Sequence, residues 1–230
     1  MNLNTQTYDG FGGVVSAERR NRVVRNTYWL LALSMLPTVL GAWVGVATGI
    51  TAGLTGFMGL IVFLGGAFGF MFAIEKTKNS AAGVPVLLAF TFFMGLMLSR
   101  LLAQVLGFKN GSELIMTAFG GTAGVFLIMA NLSTVIKKDL TGMGKWLFIG
   151  AIGILIGGII NVFVGSPVGM AVLSVMAIIV FSGFLLYDLK RIVDGGETNY
   201  ISATLGLYLS VFNIFQSLLA LLGIFGGDRE

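Results

Sequence analysis

The sequence predicts an all-α integral membrane protein with seven transmembrane helices, the last of them central in the bundle. Three observations lead there. The chain has 230 residues, of which 56% are hydrophobic and only 10% charged, against about 25% charged in an ordinary soluble domain. Its apolar residues gather into seven runs, each near the ~20 residues needed to cross a bilayer's hydrocarbon core. The last run, unlike the others, keeps a stripe of polar side chains along one helix face.

The runs cover roughly 28–48, 53–74, 81–106, 114–136, 146–165, 168–188 and 200–225. They are too continuous for the alternating pattern of a barrel strand, and a lipid-embedded backbone must otherwise be helical. Mean hydropathy is +0.94. The predicted organisation is a cytoplasmic tail over 1–27, a seven-helix domain over 28–225 and a short non-cytoplasmic tail over 226–230. The polar 1–27 segment carries no short apolar core, so no cleavable signal peptide is expected.

Before the first run stand Arg19, Arg20, Arg22 and Arg25, the topogenic cluster. Lys76, Lys78, Lys137, Lys138, Lys145, Lys190 and Arg191 fall in alternate breaks on the same side. Only Lys109 and Arg229 fall on the other, and Arg100 lies within a span. Positive residues collect on the cytoplasmic side, which places the N-terminus there and the C-terminus opposite. The same rule accounts for a pI near 9.5 with no nucleic-acid partner. The bilayer is the first partner implied.

With no cysteine and no histidine, the chain lacks thiol nucleophiles, thiolate metal ligands and the commonest general base. Val180-Phe181-Ser182-Gly183 is not a GxSG turn and has no histidine to pair with it. No residue set forms a catalytic, metal or cofactor site, and a non-enzymatic role is expected.

Glycines recur at four-residue spacing: Gly41, Gly45, Gly49 and Gly53, then Gly65/Gly69, Gly120/Gly124 and Gly153/Gly157. Such spacing lets helix backbones approach closely. Tight packing is the first reading, a flexible gating helix the second.

On a helix at about 100° per residue, with Ser202 as zero, Gly206 falls near ~40°, Ser210 near ~80°, Asn213 near ~20°, Ser217 near ~60° and Gln216 near about −40°. Thr204 and Tyr208 point elsewhere. A polar stripe in a membrane helix faces protein or water rather than lipid. It serves either as interhelical hydrogen-bonding glue or as the wall of a hydrated pathway. Thr198 or Asn199 supplies the N-cap, and Glu197 sits near the positive end of the helix dipole.

Asp188 closes the sixth span, where a salt bridge to Arg191 is the plain expectation and a pathway or pH-sensing carboxylate the other. Arg100 either snorkels to the outer interface or stands as a plug or countercharge in a cavity. Asn131 and Asn161 are expected to bond other helices.

YDLKRI (187–192), GGETNYISAT (195–204), LYLSVFNIF (207–215) and LLALLG (218–223) resemble the Bax inhibitor-one family of membrane proteins. RNTYWLLALSM (25–35) and GGETNYI are similar to its bacterial YccA branch. The resemblance implies a seven-helix fold whose last helix is surrounded by the other six. It also implies one of two activities. Some members are pH-sensitive calcium leak channels gated by two carboxylates, on helices six and seven. The YccA branch is a binder and modulator of the membrane-anchored AAA metalloprotease FtsH, with that protease's prohibitin-like proteins as further candidate partners.

The first carboxylate matches Asp188. At the second, the LYLD pattern reads Leu207, Tyr208, Leu209, Ser210. Two neighbouring carboxylates share a proton because like charges raise one pKa, and calcium prefers several oxygen ligands including carboxylates. Serine supplies no second charge, so the resemblance points to protease modulation first, with Asp188, Ser210 and Asn213 as the candidate pathway or pH-sensing set. A flexible tail of about 25 residues reaches up to ~80 Å, enough to offer a protease ring its starting grip, while a tightly packed bundle resists extraction.

Overall fold

The computed structural model describes residues 17–227, so residues 1–16 of the expected tail, and Arg229 beyond it, lie outside the described residues. Among those described there are seven helices and no strand. They are α1 (Ala17–Thr48), α2 (Gly56–Thr77), α3 (Gly83–Leu106), α4 (Gly111–Val135), α5 (Met143–Val164), α6 (Pro167–Val193) and α7 (Tyr200–Phe225). All seven are long and apolar enough to cross a membrane, and the chain is a multi-pass membrane protein.

Two helices outrun their expected ends. α1 begins at Ala17 rather than near 28, because AERRNRVVRN is rich in good helix formers and Glu18 pairs with Arg22 one turn on. The four arginines therefore sit on a helix. α6 continues past 188 to Val193, since Lys190 and Arg191 suit the negative end of a helix dipole. Asp188 consequently lies more than a turn inside α6 rather than at its end.

Local chemistry fixes the breaks. Gly165, at φ 67°, ends α5 in the left-handed conformation that favours glycine. Ser166 then caps α6, accepting from Gly169 N–H at 3.1 Å, with Pro167 in the first turn. Inside α1, Pro37 removes a backbone donor. The Ser34 and Thr38 hydroxyls next to it bond back to the Leu30 and Ser34 carbonyls. In the 136–142 loop the Thr141 hydroxyl and N–H both donate to Asp139, and they hold its carboxyl below the usual carboxylate range.

α1 packs along α3, and α6 along α7. α7 touches α1, α2, α3, α4 and α6 but not α5, which lies against α6 and α2. The arrangement therefore differs from a helix ringed by all six others. α5 buries no residue at all, and α2 buries only Ala67 and Ile74. The core runs through Leu87 and Phe90 of α3, Leu185 of α6, and Leu207, Tyr208 and Ile214 of α7. In lipid such packing works through close van der Waals contact rather than exclusion of water.

Only some of the glycine repeats serve close packing. A Cβ on Gly41 would run into the Phe92 carbonyl, and one on Gly95 into the Thr38 carbonyl, so α1 and α3 meet backbone to backbone. Gly45 meets Ser99 of α3 in the same seam. Gly49, Gly53, Gly65, Gly69, Gly120, Gly124 and Gly153 have nothing within 4 Å of that position. The spacing identifies faces that can pack, and tertiary placement decides which ones do.

Candidate functional site

The site is assembled where α6 leaves the core and α7 enters it. Gly195, at φ 81°, lets the chain reverse after α6. Asn199 then caps α7, its side-chain oxygen accepting from Ile201 N–H at 2.9 Å and Ser202 N–H at 3.1 Å. Its amide nitrogen reaches across to the α2–α3 loop, donating to the Lys78 carbonyl at 3.1 Å and to Asn79 at 2.9 Å. One side chain thus starts a helix and ties it to a distant loop. Glu197 accepts the Thr198 and Asn199 N–H groups, both at 2.9 Å, and pairs with Arg191 at 3.0 Å.

That pairing corrects the expected bridge between Asp188 and Arg191. Arg191 turns outward to Glu197 because Glu197 is already held by two backbone N–H groups and meets the guanidinium without further ordering. Asp188 has no ion-pair or hydrogen-bond partner among the described residues. It points at α7 instead. A Cβ on Gly206 would lie 2.9 Å from one Asp188 carboxylate oxygen and 3.3 Å from its carboxyl carbon. The absent side chain at 206 is what lets the carboxylate lie against the α7 backbone. Beside it is a cavity of about 30 Å³, lined by Asp188, Arg191, Glu197 and Ser202 among others. A space of that size holds a single water with polar partners on several sides.

The predicted stripe behaves unevenly. Ser202 faces the Asp188 cavity, and Ser210, a turn beyond Gly206, is buried at 2% exposure. Asn213 does not bond across to another helix: its amide donates to the Leu209 carbonyl of its own helix at 2.8 Å. Gln216 reaches a different cavity altogether.

The interhelical hydrogen bonds come from the residues expected to point elsewhere. Tyr208, 1% exposed, has its hydroxyl 2.9 Å from the Thr38 hydroxyl of α1 and donates to the Thr91 carbonyl of α3 at 3.4 Å. Thr204 bonds back to Tyr200 at 2.7 Å and reaches the Thr27 carbonyl of α1 at 3.4 Å. Thr27 is itself buried with an unpartnered hydroxyl. A helix touching five others has no polar-free side, so a one-stripe reading misses this seam. The tyrosine in LYL was the available signal, since a buried phenol seeks a partner.

Arg100 reaches the loop after α1, its guanidinium donating to the Leu54 carbonyl. It lines a cavity of about 460 Å³ between α2, α3 and the C-terminal half of α7. The four arginines of the α1 start are exposed, and Arg22 pairs with Glu18 at 3.4 Å. Among the described residues no cluster of acidic side chains is grouped to hold a metal ion.

Comparison with known proteins places the chain in a family. Residues 20–227 match the family described as inhibitor of apoptosis-promoting Bax1. An uncharacterized membrane protein of Vibrio cholerae is 35% identical over 98% of this chain and all of its own length. The modulator of FtsH protease YccA of Escherichia coli K12 is 38% identical over 90% of this chain and 92% of its own. A protein of Neisseria meningitidis is 32% identical over 98% of this chain and all of its own. The chain belongs to the Bax inhibitor-one family.

Proposed function

We propose that this member of the Bax inhibitor-one family is a non-enzymatic inner-membrane protein that binds an FtsH-type AAA protease and restrains it as a substrate-like competitor. The observation that carries the reading is the setting of Asp188. It lies on Gly206 with a buried serine, not a second carboxylate, one turn further along α7. A proton-sharing pair needs two acids close together; α7 offers none to Asp188, and the other acid lining its cavity, Glu197, is held in an ion pair with Arg191 at 3.0 Å. The likeness to a relative named as a modulator of FtsH protease supports the same reading, as does an exposed, arginine-bearing helical start on α1. The N-terminus is then cytoplasmic, where such a protease ring would engage it.

The test is the turnover of the full chain in cells carrying the protease. Deleting residues 2–18 should stop degradation of this protein and relieve its competition with a second membrane substrate of the same protease. Unchanged turnover and unchanged competition would sink the proposal.

A calcium leak is the second reading. It is favoured by the Asp188 cavity at the junction of α6 and α7, where a carboxylate without a protein partner meets space for a water.

A further inference from the structure

The cavity at Arg100 is separate from the Asp188 site. It lies at the opposite end of the bundle, where the loop after α1 and the end of α5 also lie. Its lining is mostly apolar, including Leu60, Phe63, Met97 and Met170, with Thr51 and Gln216 as the other polar side chains. No acidic residue lines it. Arg100 stands six residues before the end of α3, roughly 9 Å along the helix, at a depth where an unpaired charge is costly. One of its donors is used by the Leu54 carbonyl, and no carboxylate pairs with it among the described residues. A guanidinium has five donors in a planar fork that matches phosphate.

The volume, about 460 Å³, is in the range of sites for whole small molecules, about 300–1,000 Å³, and exceeds what a bare anion fills. The wall toward lipid is thin. α2 buries only Ala67 and Ile74, both in its second half, and α5 buries nothing. A molecule with an anionic head and an apolar chain meets each of these features: head on Arg100, chain along Leu60 and Phe63 toward the bilayer.

We propose that this cavity binds the phosphate headgroup of an anionic phospholipid, with Arg100 as the phosphate ligand and the acyl chains leaving between α2 and α5. The test is native mass spectrometry of the detergent-purified full chain, titrated with phosphatidylglycerol or with phosphatidylcholine of the same acyl chains. Phosphatidylglycerol should be retained at least about tenfold better: both lipids offer a phosphate to Arg100, but phosphatidylcholine would also bring a fixed positive charge beside the guanidinium in a cavity that no acidic residue lines. Arg100→Gln should bring the two lipids level. Leu60→Trp, which fills the space and keeps the charge, should lower retention of phosphatidylglycerol by a similar factor. Circular dichroism checks that each variant is folded, and if Arg100→Gln is not, the native comparison and Leu60→Trp decide. Equal retention of the two lipids by the native chain overturns the proposal. So does a preference unchanged in the folded Arg100→Gln chain, which would place the lipid on the basic loops. Displacement of the lipid by millimolar inorganic phosphate would assign the site to a free anion and overturn it as well.

Discussion

At the scale of single residues, the decisive pair is Asp188 and Gly206. A carboxylate without a hydrogen-bond partner is accommodated against bare helix backbone, with room for one water beside it. Ser210 lies one turn, roughly 6 Å, further along the same face of α7. A second acid there would restore the two-carboxylate arrangement in which one proton is shared. Calcium flux into liposomes holding the native chain should therefore be absent. Ser210→Asp should introduce it, and Asp188→Asn in the Ser210→Asp background should remove it again. Native flux that disappears in Asp188→Asn would make the leak the primary activity. The sequence made Asp188 visible as a charge closing an apolar run, and Ser210 as part of the polar stripe and as the departure from the LYLD pattern that the family resemblance implies. It concealed the true partner of Arg191, because Glu197 becomes available only once the Gly195 turn folds back and two N–H groups fix it.

At the scale of elements, the seven helices were readable from run length and charge placement, because hydrocarbon thickness sets span length directly. Their ends were less so. The polar extension of α1 and the last turn of α6 are stabilised by helix propensity and dipole effects that a hydropathy pattern does not register. The glycine repeats show a second limit: spacing declares a flat face, but only neighbouring helices decide whether it is used. Gly95→Ala places a methyl against the Thr38 carbonyl in the α1–α3 seam, where overpacking costs about 1–3 kcal/mol and backbone cannot yield as a side chain can. Gly65→Ala meets open space on an exposed face and should be neutral or stabilising by up to about 1 kcal/mol through helix propensity. Thermal unfolding of the two variants in one detergent checks this, and equal melting temperatures would show that the α1–α3 contact is not close.

At the scale of the whole molecule, the two cavities lie at opposite ends of the bundle. The Asp188 junction shares its end with the α1 start, the 76–82 and 136–145 segments and the last turn of α6, which together carry eleven of the fourteen lysines and arginines. The Arg100 cavity shares the other end with the 49–55 loop and the turn between α5 and α6. Orientation therefore decides which site a cytoplasmic protease could sense. By the positive-inside rule the basic end is expected in the cytoplasm, since short loops carrying lysine and arginine are retained there. The chain has no cysteine, so a single introduced thiol reports its own side without background. Ser80→Cys lies in an exposed loop at the basic end and Ala52→Cys in an exposed loop at the other. In intact spheroplasts a membrane-impermeant maleimide should label Ala52→Cys and leave Ser80→Cys unlabelled until the membrane is opened. The reverse pattern would put the α1 start and the Asp188 junction outside, beyond reach of a cytoplasmic ATPase ring. Protease modulation through the N-terminal tail would then fail on geometry, while an ion pathway through Asp188 would survive with its direction inverted.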